Sequence, residues 1–402
     1  MEPIMAMRRP SIVIFCAAAI VTISMGVRQA FGLFLPDMSM GLGIGRSDFG
    51  LALALQNLLF GLLQPITGAL GDKYGAGRLV VAGAVVYALG LVGASLASGA
   101  LGLYLSFGVL VGLAMSACTF VTVLGAVGRV VPPERRSLAF GLVTAGGSLG
   151  QFLVVPGGQL MIAELGWRMA LIGLAGLISV MVILSLGVAG RPQLPAESGR
   201  DQSVRDALRE ASGERSFWLL NAGFFVCGFH IAFIGTHFPA YLTDKGLSLA
   251  TGANALALVG LFNIAGSWFF GIMGDRWSKK GLLAGLYAAR SAVMLAFLAL
   301  PLTPVTALAF AGAMGFLWLG TVPLTSGLIG GIFGIRYLSM LYGIVFLSHQ
   351  VGSFFGAWSA GLMFDLTGSY DSIWTASVAL GLFAALVHLP IREAPVARLQ
   401  PA

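Results

Sequence analysis

Little in this chain can carry charge. Lys, Arg, Asp and Glu together make up 10% of its 402 residues, where soluble domains average about 25%. The 16 acids all lie in polar loops or at the ends of apolar stretches, and none in the middle of one. That excludes a carboxylate relay through an apolar interior, on which expulsion of cations against protons generally depends. Cysteine is nearly absent. Cys16, Cys118 and Cys227 stand singly in separate apolar stretches, so neither a disulfide framework nor a thiolate metal site has the spacing it needs. Missing too are a nucleophile–base–acid set, a phosphate-cradling loop and a metal cluster. The chain does not read as an enzyme, and no metal or cofactor is expected.

Apolar residues are abundant instead. They form 57% of the chain, more than a soluble core could hide. A membrane-spanning helix needs about 20 of them. Twelve such runs follow one another, at 11–36, 48–70, 79–98, 101–128, 137–161, 168–189, 216–242, 250–273, 281–300, 303–332, 338–363 and 372–391. The expected fold is an all-α membrane protein with twelve transmembrane helices. The 57 glycines suit close helix approach in lipid. The first run is too long for the apolar region of a secretory leader, and it is read as a span. The net charge of +7 marks topology rather than a nucleic-acid footprint. With the amino terminus in the cytoplasm, 18 of the 23 Lys and Arg fall on that side, and only Arg46, Arg168 and Lys245 on the other. The positive-inside rule then places both termini in the cytoplasm of a multi-pass protein of the cell (inner) membrane. The lipid bilayer is its surroundings; no nucleic-acid partner is expected, and a monomer is.

Two marks recur at nearly one offset. Gly68-Ala69-Leu70-Gly71-Asp72-Lys73-Tyr74-Gly75 follows the second run, and Gly271-Ile272-Met273-Gly274-Asp275-Arg276-Trp277-Ser278 follows the eighth, 203 positions later. Arg136-Ser137-Leu138-Ala139-Phe140-Gly141 in the fifth run matches Leu338-Ser339-Met340-Leu341-Tyr342-Gly343 in the eleventh, offset by 202. Such spacing argues for a duplicated six-helix unit. The expected organisation is a bundle over 1–189, a polar cytoplasmic linker over 190–214, and a second bundle over 215–402.

The Gly-x-x-x-Asp-Arg/Lys-x-Gly pattern of the repeated loop resembles the signature of the major facilitator superfamily, with Arg78 at the further basic position. The resemblance implies two six-helix bundles that rock about a central cavity and carry a solute by alternating access. It also implies gating roles for Asp72, Arg78, Arg129, Arg136, Asp275, Arg276 and Arg336, whose opposite charges can latch one face. Within that superfamily, Val27-Arg28-Gln29-Ala30-Phe31-Gly32-Leu33-Phe34 resembles the first span of monocarboxylate porters, where a lysine precedes a similar aromatic run. Arg135-Arg136-Ser137-Leu138-Ala139-Phe140-Gly141 resembles their fifth span. Tyr342-Gly343 with Ser348-His349-Gln350 resembles the eleventh span of oxalate–formate exchangers, with His349 about where those carry a lysine. Both families hold an arginine late in the eighth span; here that place reads Gly266-Ser267-Trp268.

Arg28 carries the most information among the intramembrane polar residues. It lies inside the first apolar run with no acid beside it. A guanidinium stays protonated, and a charge at mid-membrane costs roughly 2.5–3.5 kcal/mol on insertion scales. A mobile anion is the simplest partner, and a carboxylate suits an arginine fork. His230, His237, His349, Gln350, Asn263, Phe31 and Trp358 are the further candidate substrate contacts. His230 and His349 are also the proton-coupling candidates, because imidazole titrates near neutrality. The function expected is secondary transport of a small organic anion, a monocarboxylate first, either linked to protons or by exchange. The alternative is an efflux pump for hydrophobic compounds or drugs. Arg290, inside the ninth run, reads as a brace for the eighth or tenth.

Overall fold

The computed structural model describes residues 10–131, 136–190, 203–334 and 337–399. Arg336 lies outside the described residues, as do the side chains of Asp72, Arg129 and Arg136. Every described span is helical, as a bilayer demands of a chain that must pair its own N–H and C=O groups. Ten helical runs are long and apolar enough to cross a membrane. One of these, Gly141–Val188, makes two crossings. Gly166 breaks it with φ 75° and ψ 161°, a backbone that an L side chain resists. The helix Arg46–Tyr74, 29 residues long, reaches about 43 Å and completes twelve. The outer surface stays apolar, with Leu89, Ile183, Leu186, Leu382 and Leu386 exposed among many.

The breaks in the helices have local causes. The first span runs Pro10–Gln29, tightens to a single 3₁₀ turn at Phe31–Phe34, and resumes at Leu35–Leu42. Pro36 has no N–H to return to Gly32 four residues back, and Leu35 N–H takes the Gly32 carbonyl instead. The fourth span is interrupted between Ala117 and Phe120, and the tenth between Phe316 and Thr321. These equivalent positions in the two halves extend the repeat from sequence into backbone shape.

Two apolar cores result. One gathers residues from 13 to 188, and the other from 211 to 396. The second half gives the first core mostly small residues, Ala232, Ala240, Ala253 and Ala357, because the halves meet where backbones approach closely. The second span packs on the eleventh, the fifth on the eighth, and the tight turn of the first on the seventh. At that last crossing Gly32 faces the Gly235 carbonyl so closely that a Cβ would collide with it.

Candidate functional site

Arg28 sits one turn before the tight turn of the first span, half-buried. Its Nη2 donates to Asn57 Oδ1 at 2.6 Å, and among the described residues it forms no ion pair. It lines a cavity of about 30 Å³ with Gln29, Phe31, Gln56, Asn57 and Thr236. That volume holds about two waters. The first and second spans supply one wall, and Ile231, Ala232 and Gly235 of the seventh supply the other. A single uncompensated cation therefore faces a small polar space at the join of the two halves.

The asparagine extends the site across that join. Gln350 Nε2 donates to the main-chain carbonyl of Asn57 at 3.0 Å, and His349 Nδ1 lies 3.0 Å from Gln350 Oε1. His349 stacks on Phe346 with centroids 5.5 Å apart. The order Arg28, Asn57, Gln350, His349 is a continuous polar path from the first span through the second to the eleventh. Beside it, Gln29 Nε2 donates to Gln151 Oε1 at 3.2 Å, and Gln151 Nε2 to the Leu256 carbonyl at 2.7 Å. Asn57 and Gln29 escaped notice in the sequence, where a neutral amide inside a span carries no mark beyond its polarity.

The other expected contacts divide. Phe31 lines the cavity and packs on Phe107, centroids 4.4 Å apart. His230 does not meet Arg28. It is fully buried in the second bundle, with Nε2 2.8 Å from the Ser377 carbonyl of the twelfth span. A position on the seventh helix alone does not separate the cavity side from the side that packs on the twelfth. His237 is likewise taken up: Nε2 lies 2.7 Å from the Ala357 carbonyl and Nδ1 3.1 Å from the Tyr370 hydroxyl. Trp358 packs on Phe354, one turn away on the eleventh span, and against the first core, and it does not line the cavity. Asn263 is a bridge rather than a lining residue. It donates to Ser148 Oγ at 2.9 Å and accepts from Leu319 N–H at 3.0 Å, joining the fifth, eighth and tenth spans. Arg290 is fully buried at the break in the tenth span, where its guanidinium donates to the carbonyls of Leu317 and Trp318. It satisfies the carbonyls that the interrupted helix leaves free, the bracing role read from sequence.

Arg78, Asp275 and Arg276 are exposed on the face that carries the termini, and none forms an ion pair with another described residue. An ion-paired tie between the halves lies on the opposite face. Arg46 grips Asp244 with both nitrogens, at 2.5 and 2.7 Å. It donates to Tyr370 Oη at 2.9 Å and lies 3.8 Å over the Phe364 ring. The backbone N–H groups of Arg46 and Ser47 donate to Asp365 at 3.0 and 2.7 Å, so a carboxylate of the second half caps a helix of the first. Asp72, Arg129, Arg136 and Arg336, which the sequence places in a latch on the basic face, lie outside the described side chains, and the Arg46 cluster is a further tie between the halves on the other face.

The model of the Major Facilitator Superfamily matches residues 14–326. Among curated proteins the chain is similar to human monocarboxylate transporter 11, 26% identical with 95% of this chain and 83% of that protein covered. It is also similar to monocarboxylate transporter 13 of Bos taurus, 26% identical, covering 93% and 88%. A third relative is the uncharacterized MFS-type transporter YcxA of Bacillus subtilis, 22% identical, covering 91% of each chain. Among solved structures, a bacterial homologue of the human lysosomal transporter Spinster, inward-facing and unoccupied, shares the fold. Its TM-score is 0.74 at 15% identity, with 96% of this chain and 94% of that one covered.

Proposed function

We propose that this chain, which belongs to the major facilitator superfamily of membrane transporters, carries small organic anions, monocarboxylates first, with Arg28 as the anion's charge partner. One observation carries the reading: a guanidinium inside a membrane span whose described hydrogen-bond partner is a neutral amide, beside a cavity at the join of the halves. The monocarboxylate transporters among its relatives favour the same class. An entering carboxylate takes both guanidinium nitrogens, displaces cavity water and releases Asn57. The Asn57 main-chain carbonyl is held by Gln350, so the eleventh span borders the residue whose side chain the anion displaces. Of the two histidines considered for proton coupling, only His349 lies on this path; movement of acid and proton together then uses His349, and exchange of one anion for another needs neither. The bundles are taken as 1–189 and 215–402 about a linker at 190–214, working as a monomer in the cell (inner) membrane with both termini cytoplasmic. The cation excess on the face of the termini supports that orientation.

Hydrogen bonds to a charged group contribute about 1.5–3 kcal/mol, so Arg28→Gln weakens anion binding about 10- to 150-fold. In proteoliposomes it is expected to abolish saturable uptake of short monocarboxylates, while Arg28→Lys keeps part of it. Undiminished uptake by Arg28→Gln would sink the reading. So would a protein that moves lipophilic compounds and is indifferent to acids.

A further inference from the structure

A second cavity shares no lining residue with the one beside Arg28. It measures about 560 Å³ and lies where the linker meets the second bundle, lined by Arg205, Leu208, Arg209, Phe217, Trp218 and Ile344. The linker helix Val204–Gly213 opens on a capping box in which Ser203 and Asp206 satisfy one another's donors. Ala207 and Ala211, one turn apart, are buried against the bundle. Val204 and Leu208 follow at one side of that seam, and Arg205 and Arg209 lie beyond them, again one turn apart. Asp206 and Glu210 fall on the far side of the helix and do not line the cavity. The helix thus turns its cations toward the cavity and its acids away.

The cavity wall is apolar and sits at a span terminus. Trp218 lies in the first turn of the seventh span, is exposed, and donates from Nε1 to the Ser212 carbonyl at 2.9 Å, which fixes the linker to the span. Phe217 packs edge-on against it with centroids 5.9 Å apart. Exposed Val204, Leu208 and Trp218 form a greasy rim beside the two arginines. A tryptophan at a span end marks the bilayer interface, and a basic amphipathic helix there meets anionic headgroups.

We propose that this cavity binds the phosphate headgroup of an anionic phospholipid, with Arg205 and Arg209 on the phosphate and Val204, Leu208 and Trp218 against the acyl chains. Free phosphate would use the cations and leave the apolar wall idle, so the lipid is the better fit. The site is independent of what Arg28 binds. A lipid bound there would bridge the linker helix Val204–Gly213 and the start of the seventh span.

The test is native mass spectrometry on the delipidated full chain. Phosphatidylglycerol and phosphatidylcholine with identical chains form two arms, and inorganic phosphate forms a third. Phosphatidylglycerol is expected to bind in preference to phosphatidylcholine. Two arginines near an anionic surface contribute about 1 kcal/mol each, so Arg205→Gln/Arg209→Gln is expected to lower that affinity roughly 30-fold. Arg205→Lys/Arg209→Lys, which keeps the charge, is expected to keep most of it and guards against a folding artefact. The proposal is overturned by equal binding of the two lipids, by a preference that survives the double glutamine variant, or by full competition from inorganic phosphate alone. The last result would mark a free-anion site.

Discussion

Removing the Arg46 side chain should open the face away from the termini. Its guanidinium makes a two-pronged pair with Asp244, bonds Tyr370 and covers Phe364, and all three partners belong to the other half of the molecule. The side chains of the ion pair are 14% and 30% exposed, so solvent screens them and the pair alone contributes about 1 kcal/mol. The bond to Tyr370 adds about 1 kcal/mol, and the ring contact about 0.5–1. Arg46→Gln therefore shifts the closed-to-open equilibrium by about 2–3 kcal/mol, roughly 30- to 150-fold. The backbone bonds to Asp365 survive that change, so a double variant with Asp365→Asn should open further. A cysteine at Thr236, in the cavity wall, reports on opening when a membrane-impermeant maleimide is added from that face. Its labelling rate should rise by the same factor in Arg46→Gln and again in the double variant. A change smaller than threefold in both would refute the assignment of this cluster as the latch.

Other outcomes can be checked with the same protein. Asn57→Leu removes the partner of a half-buried guanidinium and should cost about 1–3 kcal/mol of thermal stability, most of it restored by a bound carboxylate. Arg290→Met leaves the Leu317 and Trp318 carbonyls unpaired in a buried break; a loss of about 2 kcal/mol or more should appear as a lower unfolding midpoint in detergent. His349→Gln keeps a hydrogen-bonding side chain beside Gln350 but offers no imidazole to carry a proton, so uptake should no longer be driven by an imposed proton gradient while binding of the acid persists. Uptake that the gradient still drives would assign the proton to the substrate itself.

The architecture was legible because a bilayer leaves few choices. A run of about 20 apolar residues must become a helix, and the repeated Gly-x-x-x-Asp loops marked the duplication without any contact being known. The interruptions were not legible. Pro36 announces one, but the gaps after Ala117 and Phe316 carry no proline. They rest on tertiary partners, and Arg290 is the clearest of them. A charge deep in a span can mark a ligand site or a broken helix; the carbonyls of Leu317 and Trp318 at Arg290, and the cavity beside Arg28, separate the two in the structure.

The same ambiguity explains the uneven reading of the site. Arg28 could be singled out because an unneutralised cation is costly wherever it faces. A buried histidine is neutral at little cost, so its position on a helix says nothing about which neighbour it meets. His230 met Ser377 of the twelfth span, while His349, marked in sequence only by its likeness to the exchangers' eleventh-span lysine, met Gln350 and through it the Asn57 main chain. Nor could sequence say that the halves are tied at Arg46, since one cation among few on the sparsely charged face looks like a stray. Its importance lies in Asp244 and Asp365, about 200 and 320 residues further along. A transporter has to hold two faces shut in turn. The structure joins the inter-half amide chain at Arg28 to the same pair of spans, the second and the eleventh, that meet at the Arg46 cluster. Anything that pulls Asn57 from Gln350 thus acts on the pair of helices whose far ends carry the latch.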